Sequence, residues 1–397
     1  MKIAFFTEGY DPFINGVVTM IKAYRQALRD AGHEVVIFTP ENADEIPAED
    51  GVIRLPSVIW TEKWYPGLRP FSGVDKIFRE GGFDIIHSHH PMTTGFAAER
   101  LSKKHGVPLV FTFHTLLPNY SSYLPALRNV GEAALTHIVK RHCAKAHCVT
   151  VSTLLMKDWL RDHGIRAPIR LVRPPNKKLV APPGARLEMR EKLRIPEGVP
   201  VILCAGRIAP EKCVEFLIEA VARFPRGTDY RLLIVGGGPN EKDVRKLASK
   251  LKLTKVIFTG EVLYAEMPSY YAASDIFAFP SHNDTLGLVL IEAMNAGLPC
   301  VAVAANGPRE VVCDGVTGVL TDPDVGAFSS AIQRLLADID TRALMGLNGP
   351  AWCRRLCAGD LGDELVSAYN TAKLQFEAQA MVAKKRHVVG ASRRSLK

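Results

Sequence analysis

Residues 279–293 hold the most informative chemistry in this sequence, because an apolar run gives way there to a polar turn and then to an apolar helix pattern. The pattern predicts a strand that ends at Phe279 and a helix that begins near Gly287. At such a helix N-terminus, backbone amides can bind phosphate oxygens while a carboxylate binds sugar hydroxyls. The structural alternative is an aspartate that only caps the helix. The candidate site residues in this turn are Asp284, Thr285, Leu286, Gly287 and Leu288.

Glu292 lies farther along the same predicted helix, among apolar neighbours. A carboxylate in such surroundings needs a hydrogen-bonding partner, and the hydroxyls of a ribose would supply one. The alternative is an incidental helix glutamate with no ligand. We therefore place Glu292 in a candidate nucleotide-binding site.

Two cations follow another predicted strand, which ends in Gly206-Arg207 and is followed by Pro210-Glu211-Lys212. Arg207 and Lys212 could converge on a diphosphate and neutralise the charge that grows on a leaving nucleotide. The alternative is a surface arginine and lysine with a salt bridge to Glu211. The sequence alone leaves both interpretations open.

Glycine turns follow three further strand ends and allow a ligand to approach the backbone. Gly16 stands directly before the first predicted helix, Gly237 is the middle of a run of three glycines, and Gly260 follows the next strand. The run of three does not match a dinucleotide-binding fingerprint, because no third spaced glycine opens the helix and no acidic residue follows at the right distance. Each turn is a weak signal by itself.

Three histidine and cysteine clusters could supply metal ligands. They are the run His87-x-His89-His90 and the pairs His142-Cys143 and His147-Cys148. Neither set has a usual zinc spacing with a second pair, so we expect no metal. A serine hydrolase is also disfavoured, because the Gly-x-Ser-x-Gly elbow is absent.

Short apolar runs alternate with helical patterns along the chain, which is typical of parallel sheets covered by helices. The first helix should follow Gly16 and bury Val17, Ile21, Tyr24 and Leu28. The predicted strands are residues 3–6, 35–38, 52–55, 85–87, 109–112, 148–151 and 169–172, and then 201–205, 232–235, 256–259, 276–279 and 300–303.

The series breaks between the two halves, where prolines and basic residues disfavour a regular element. The length of 397 residues also fits two domains. We predict a first α/β domain over 1–175, a linker over 176–197, a second α/β domain over 198–360, a helix over 361–383 that returns to the first domain, and a basic tail over 384–397.

The formal charge of +9 favours anionic partners, although charge alone does not choose among nucleotides, lipid surfaces and nucleic acid. No apolar run reaches the roughly 18 to 20 residues that cross a bilayer, and the N-terminal sequence turns polar too early for a signal peptide. We therefore expect a cytoplasmic protein. Six basic residues in the last fourteen would suit the inner face of a membrane or a solvated tail.

Taken together, these motifs resemble the retaining family 4 glycosyltransferases, a two-domain class known as GT-B. The resemblance rests on the Asp284-x7-Glu292 spacing, on Gly206-Arg207 with Lys212, on the glycine run that contains Gly237, and on residues 307–310 with the sequence Gly-Pro-Arg-Glu. Within that family, residues 114–125 and 284–289 look most like the bacterial diacylglycerol glucosyltransferases.

The resemblance implies two doubly wound Rossmann-like domains that face each other across a cleft, with acceptor binding mainly on the N-terminal domain and nucleotide-sugar binding mainly on the second. It also implies that Arg207 and Lys212 clamp the diphosphate, that Glu292 binds the ribose, and that Asp284 contacts the donor sugar. His114 matches the family's histidine near the reacting sugar, and Gly16 its glycine loop beneath the diphosphate. Asp284 departs from the commoner glutamate and reaches one methylene less far.

The implied reaction is retaining transfer of a hexose, with glucose from UDP-glucose as donor and a membrane lipid such as diacylglycerol as acceptor. No cofactor, essential metal or nucleic-acid partner is expected. GDP-mannose as donor, a soluble acceptor, a nucleotide-sugar 2-epimerase and a catalytically inactive binding module remain open. A glycosidase would instead need paired carboxylates around the sugar bond. Residues 119–145 could form a basic amphipathic helix at a membrane, or an ordinary helix of the first domain.

Overall fold

The computed structural model describes residues 1–11, 15–40, 48–55, 72–117 and 131–394, of which residues 72 and 383–394 are described by their backbone only. The chain divides into two compact units. Unit 1 comprises Met1–Arg173 and Gly359–Lys397, and unit 2 comprises Pro174–Ala358. Compactness alone does not establish an independently folding domain, so the domain limits given above stay predictions.

Unit 1 contains a parallel sheet with helices packed on it. Its strands are β1 (Lys2–Phe6), β2 (Glu34–Pro40), β3 (Val52–Leu55), β4 (Ile85–Ser88), β5 (Leu109–Thr112), β6 (Cys148–Val151) and β7 (Ile169–Leu171). Its helices are α1 (Gly16–Asp30), α2 (Ser72–Gly81), α3 (Thr93–His105), α4 (Glu132–Lys145), α5 (Leu154–Asp162) and α14 (Leu361–Arg394). Within the described residues the strand order is β3-β2-β1-β4-β5-β6-β7.

Unit 2 repeats this architecture. Its strands are β8 (Val201–Ala205), β9 (Arg231–Val235), β10 (Val256–Gly260), β11 (Ile276–Phe279), β12 (Cys300–Val303) and β13 (Gly318–Thr321). Its helices are α6 (Ala185–Lys192), α7 (Val214–Ala222), α8 (Glu241–Lys250), α9 (Met267–Ala273), α10 (Leu288–Asn295), α11 (Pro308–Val311), α12 (Val325–Ala337) and α13 (Ile339–Leu356). The strand order is β10-β9-β8-β11-β12-β13. The prediction of two Rossmann-like units is confirmed.

Strand β8 shows why these runs form a sheet that is covered on both faces. All five of its residues are buried. Leu203 packs into one hydrophobic cluster of unit 2, whereas its neighbours Ile202 and Cys204 pack into another. Because successive side chains of a strand point to opposite faces, a continuously apolar run requires helices on both sides.

Each sheet has one point where the direction of strand addition reverses, between β1 and β4 in unit 1 and between β8 and β11 in unit 2. Loops that follow the two strands at such a point diverge to opposite faces of the sheet and leave a crevice at the carboxyl ends. The residues after β8 and β11, and those after β1 and β4, are therefore placed to bind ligands.

Two local predictions are corrected by the structure. In α1 the predicted residues Ile21, Tyr24 and Leu28 are buried, whereas Val17 is only half-buried, because it lies on the same face but in the first turn of the helix. The edge strand β13 was missed from the sequence, since its four residues stand between a glycine-containing turn and an Asp-Pro pair and are only partly buried.

The segments predicted as linker and tail are more regular than expected. The linker contains α6, which begins after Gly184 in a left-handed conformation (φ 81°) and buries Met189 in the core of unit 2. Arg190 on α6 donates to Asp275 Oδ2 at 2.6 Å. The backbone of α14 continues to Arg394, because the alanines, lysines and arginines of this segment are good helix formers. None of the described helices is long and apolar enough to span a bilayer.

Candidate functional site

The reversal point of unit 2 brings Lys212 and Asp284 together. Lys212 ends a 3-10 turn after β8, and Asp284 lies in the turn after β11. Lys212 Nζ lies 2.6 Å from Asp284 Oδ1. The other carboxylate oxygen, Oδ2, is buried and has no hydrogen-bonding partner among the described residues. A buried acceptor without a partner costs free energy, so a ligand hydroxyl that donated to Oδ2 would bind favourably.

Arg207 has a different partner. Its guanidinium forms an ion pair with Glu211, one turn further along the same loop, and Glu211 is buried while Arg207 remains about 44% exposed. Ser281 Oγ donates to the backbone oxygen of Glu211 at 2.9 Å and ties this loop to the one after β11. Arg207 therefore pairs with Glu211, whereas Lys212 contacts Asp284 instead.

The turn after β11 leads directly into α10. Gly287 precedes the helix with φ 77°, a left-handed conformation that favours glycine. The amide of Gly307 donates to the backbone oxygen of Asp284 at 3.0 Å. A Cβ on Gly307 would lie 2.4 Å from Leu286 N, so only glycine allows this approach. The first amides of α10 are thereby held beside the Lys212–Asp284 pair, with Thr285 and Leu288 half-buried.

Glu292 is buried on α10 and accepts two hydrogen bonds. Tyr264 donates to Oε1 at 2.6 Å, and Tyr271 donates to Oε2 at 2.9 Å. Lys177 Nζ lies 4.1 Å from the centre of the Tyr264 ring. Burial raises the pKa of Glu292, and the two phenols oppose that shift. The expectation that this carboxylate needs a polar partner is met inside the protein by two tyrosines that the sequence analysis missed.

The glycine turns differ in what surrounds them. A Cβ on Gly237 would lie 2.6 Å from Glu261 Cγ, so this glycine lets two loops approach each other. Gly260 has φ 73° and open space at its Cβ position among the described residues, while its backbone oxygen accepts from Gly236 N at 2.9 Å. Gly16 is equally open, and the preceding Asn15 caps α1 by accepting from Val18 N at 2.9 Å.

His114 follows β5 in unit 1 and lies beside a second histidine. His89, which follows β4, has its Nδ1 atom 3.0 Å from His114 Nε2. Burial lowers the pKa of His114 well below its usual range, and nearby imidazoles lower it further. Glu8, after β1, accepts from Thr93 Oγ1 at 2.6 Å and from Thr94 N at 2.9 Å, which fixes the loop after β1 against the start of α3.

The other histidines of the clusters have protein partners. His87 contacts Tyr369 OH at 2.9 Å and Thr112 Oγ1 at 2.6 Å. His142 Nδ1 lies 2.6 Å from Glu99 Oε1. In the part of the chain that the structure describes, no three histidine, cysteine, aspartate or glutamate side chains are grouped to hold a metal ion.

Two family models match most of the chain. The model described as Glycosyltransferase Family 4 matches residues 14–175, and the model described as Glycosyl transferases group 1 matches residues 185–352. A GDP-mannose-dependent alpha-mannosyltransferase of Mycolicibacterium smegmatis is 30% identical over 353 residues, which cover 85% of this chain and 89% of that protein. The chain belongs to the family 4 glycosyltransferases. The resemblance inferred from the motifs is confirmed.

This glycosyltransferase is also similar to an Alpha-monoglucosyldiacylglycerol synthase of Streptococcus pneumoniae, with 27% identity over 360 residues that cover 86% of this chain and 79% of that protein. Among solved structures, HepE from Anabaena in complex with UDP and glucose superposes with a TM-score of 0.76 at 20% identity, covering 93% of this chain and 99% of HepE. The structural likeness extends the GT-B fold over nearly the whole glycosyltransferase.

Most of the residues that the sequence analysis assigned to donor binding lie in unit 2 of the glycosyltransferase, at the carboxyl ends of its strands. Their roles stay predictions. Gly16 and His114 lie in unit 1, where they follow β1 and β5. The sequence carried no signal for Tyr264 and Tyr271, and it singled out His89 only as a possible metal ligand. Tyr264 begins a short 3-10 turn, and Tyr271 lies in α9, which follows that turn. Their positions along the chain did not indicate that both contact Glu292.

Proposed function

We propose that this glycosyltransferase transfers a hexose with retention of anomeric configuration, with UDP-glucose as donor and a membrane lipid such as diacylglycerol as acceptor. The observation that carries the proposal is the Lys212–Asp284 contact at the reversal point of unit 2, with Asp284 Oδ2 unpartnered. A cation and a carboxylate acceptor beside helix amides match the phosphate and the hydroxyls of a nucleotide sugar.

The reaction breaks the bond between the anomeric carbon and the diphosphate oxygen. The acceptor hydroxyl oxygen bonds to the same face of that carbon, and its proton passes to the departing phosphate oxygen. Lys212, Arg207 and the amides of Gly287 and Leu288 would stabilise the charge on the leaving group, each well-placed donor contributing about 3 kcal/mol. This arrangement assigns the charge stabilisation to protein groups, and no metal or other cofactor is part of the proposal.

Asp284 would accept from hydroxyls of the transferred sugar, and His114 would orient that sugar. Glu292 would accept from ribose hydroxyls, because a carboxylate can accept about four hydrogen bonds and the two tyrosines occupy only two. The open space beside the Cα atom of Gly260 would admit the base. Glucose as the sugar rests on the name of the Streptococcus pneumoniae relative.

A lipid acceptor is supported by that same name and by the basic surface of α4, where Lys140, Arg141 and Lys145 are exposed. The apolar side of α4 is not exposed, since Leu135 and Val139 are buried within unit 1. The helix would therefore attract anionic headgroups through charge rather than insert. Leu127, Arg128 and Val130, which also belong to the predicted amphipathic pattern, lie outside the described residues.

The test uses the full-length protein with radiolabelled UDP-glucose or GDP-mannose, and with or without vesicles that contain diacylglycerol. We expect labelled lipid only with UDP-glucose and diacylglycerol, and none with Lys212→Met as the matched inactive control. Transfer from GDP-mannose would support the alternative donor named for the Mycolicibacterium relative. An altered sugar nucleotide formed without any acceptor would contradict the transfer and favour an epimerase.

A further inference from the structure

We infer that His89 is a positioning residue that holds His114 in the neutral tautomer with its ring proton on Nδ1. The inference concerns a residue that no sequence motif assigned. Its consequence for the reaction rests on the proposed role of His114 at the transferred sugar, whereas the tautomer itself depends only on unit 1.

His89 is held rigidly at the carboxyl edge of the sheet. Its backbone amide donates to the oxygen of Phe6 at 2.9 Å, and its side chain is only 2% exposed. The ring of Phe5 packs edge-on against it at 4.7 Å, and the ring of His87 lies 4.3 Å away. Both rings pack against the imidazole, whose Nδ1 atom lies 3.0 Å from His114 Nε2.

Burial favours the neutral form of both imidazoles of this pair. Burial lowers the pKa of His89 well below its usual range, and the neighbouring imidazoles lower it further. The same causes, in the same order, lower the pKa of His114. A neutral imidazole carries one N–H donor and one acceptor nitrogen, so the 3.0 Å contact has one donor and one acceptor.

The second nitrogen of His89 decides which ring donates. Its Nε2 atom is buried and has no hydrogen-bonding partner among the described residues. If the proton were on Nε2, a buried N–H would have no hydrogen-bond acceptor, at a cost of about 1 to 3 kcal/mol. If the proton is on Nδ1, it is donated to His114. The second arrangement leaves only an acceptor without a partner, which proteins tolerate more readily than an orphaned donor.

It follows that His114 Nε2 accepts, and that the ring proton of His114 is on Nδ1. With the Nε2 lone pair engaged by His89, that nitrogen of His114 is not available as a base. His114 would then not remove the acceptor proton through Nε2. This agrees with passing that proton to the departing phosphate.

Two-bond 1H–15N correlation spectra of the full-length, substrate-free protein with 15N-labelled histidine distinguish protonated from bare ring nitrogens. The His114 and His89 signals are assigned by their loss in His114→Gln and His89→Asn. We expect a bare Nε2 and a protonated Nδ1 in His114, and the same pattern in His89. A protonated Nε2 in His114 would overturn the inference. This readout needs no donor or acceptor, so it is independent of whether the proposed transfer occurs.

A matched pair of variants tests the consequence. In His89→Asn an amide nitrogen can occupy the place of Nδ1 and donate, whereas His89→Leu has nearly the same shape as asparagine and no donor. We expect kcat to fall about 10-fold to 100-fold in His89→Leu and much less in His89→Asn, with KM for the nucleotide sugar unchanged. Equal losses in both variants, or full activity in His89→Leu, would contradict positioning by this hydrogen bond. If His89→Leu does not fold, the spectra of the unsubstituted protein decide the question.

Discussion

Lys212 Nζ lies 2.6 Å from Asp284 Oδ1, although 72 residues separate them in the chain. The contact exists because β8 and β11 are adjacent in the sheet, so the loops that follow them meet at the reversal point. When no nucleotide sugar is bound, the partly buried charges of Lys212 and Asp284 neutralise each other. A diphosphate that binds there would draw Lys212 toward itself and leave Asp284 for the sugar.

We predict that Lys212→Met and Asp284→Asn each lower kcat by about 100-fold to 1000-fold, because each removes a charge that acts on the reacting groups. Each single variant should also lose about 1 to 3 kcal/mol of stability by leaving its partner unpaired. The double variant should recover stability and remain inactive. Chemical denaturation and donor kinetics measure the two effects. Near-normal turnover in both single variants would contradict a role for Lys212 and Asp284 in the reaction.

Arg207 gives a different expectation, because its partner Glu211 is buried. We predict that Arg207→Ala lowers turnover and also destabilises the protein by about 1 to 3 kcal/mol, since the Glu211 carboxylate loses its cation. Adding Glu211→Gln should restore most of the stability and none of the turnover. If the double variant is as active as the unsubstituted protein, Arg207 acts only as a structural partner of Glu211.

Glu292→Gln should weaken nucleotide binding, because an amide accepts from ribose hydroxyls less well than a carboxylate does. Calorimetry measures the affinity of each protein for UDP and for its 2′-deoxyribose analogue. The unsubstituted protein should bind UDP more tightly than the analogue, and this difference should be smaller in Glu292→Gln. An equal loss for both nucleotides, with no preference in the unsubstituted protein, would contradict a ribose contact.

The same variant should change the pH dependence of stability. Burial raises the folded-state pKa of Glu292 above its ordinary value, so the folded protein binds more protons than the unfolded chain between the two values. The contribution is full below the ordinary glutamate pKa and is lost as pH rises through the raised pKa. In that window, we expect the free energy of unfolding to fall less with rising pH in Glu292→Gln than in the unsubstituted protein. Burial also raises the pKa of Glu8, but Glu8 is present in both proteins and contributes equally to both profiles. Identical pH profiles would rule out this titration.

Tyr264 and Tyr271 form a matched pair on one carboxylate. Tyr264 is half-buried, whereas Tyr271 is fully buried. If ribose hydroxyls take the Tyr264 position on Glu292 Oε1, Tyr264→Phe should tighten UDP binding about five-fold, the equivalent of about 1 kcal/mol, and leave the deoxyribose analogue unaffected. Tyr271→Phe should lower stability without that gain. Weaker UDP binding in Tyr264→Phe would show instead that its hydroxyl contacts the nucleotide.

Membrane attraction through α4 should be electrostatic. We expect co-sedimentation with anionic vesicles at low salt and poor binding to neutral vesicles. Changing Arg128, Lys140, Arg141 and Lys145 to Gln should remove much of the affinity, each cation near the surface contributing about 1 kcal/mol. Arg141 should contribute least, because it already lies over the Phe96 ring and 3.5 Å from Glu99. Efficient transfer to a soluble acceptor with no vesicle binding would contradict the lipid acceptor and leave the transferase activity intact.

The sequence by itself determined the local elements and the places where ligands could bind. Continuously apolar runs predicted most of the strands, because a strand buried on both faces cannot alternate with polar residues. Gly287 ahead of an apolar run predicted the start of α10, since the left-handed turn there favours glycine. Asp284 and Glu292 were recognised for a similar local reason, because a carboxylate at a helix start or among apolar residues requires a partner.

Only the tertiary structure decided which partner each of these groups has. The order of strands places β8 beside β11, and this adjacency, rather than any spacing, joins Lys212 to Asp284 while Arg207 stays with Glu211. Tyr264 reaches Glu292 by the same kind of long-range contact. Helix and strand periods report which face of an element is buried, and they carry no information about which distant element covers that face. The partners, and the protonation states that follow from them, therefore depend on the packing of the whole sheet.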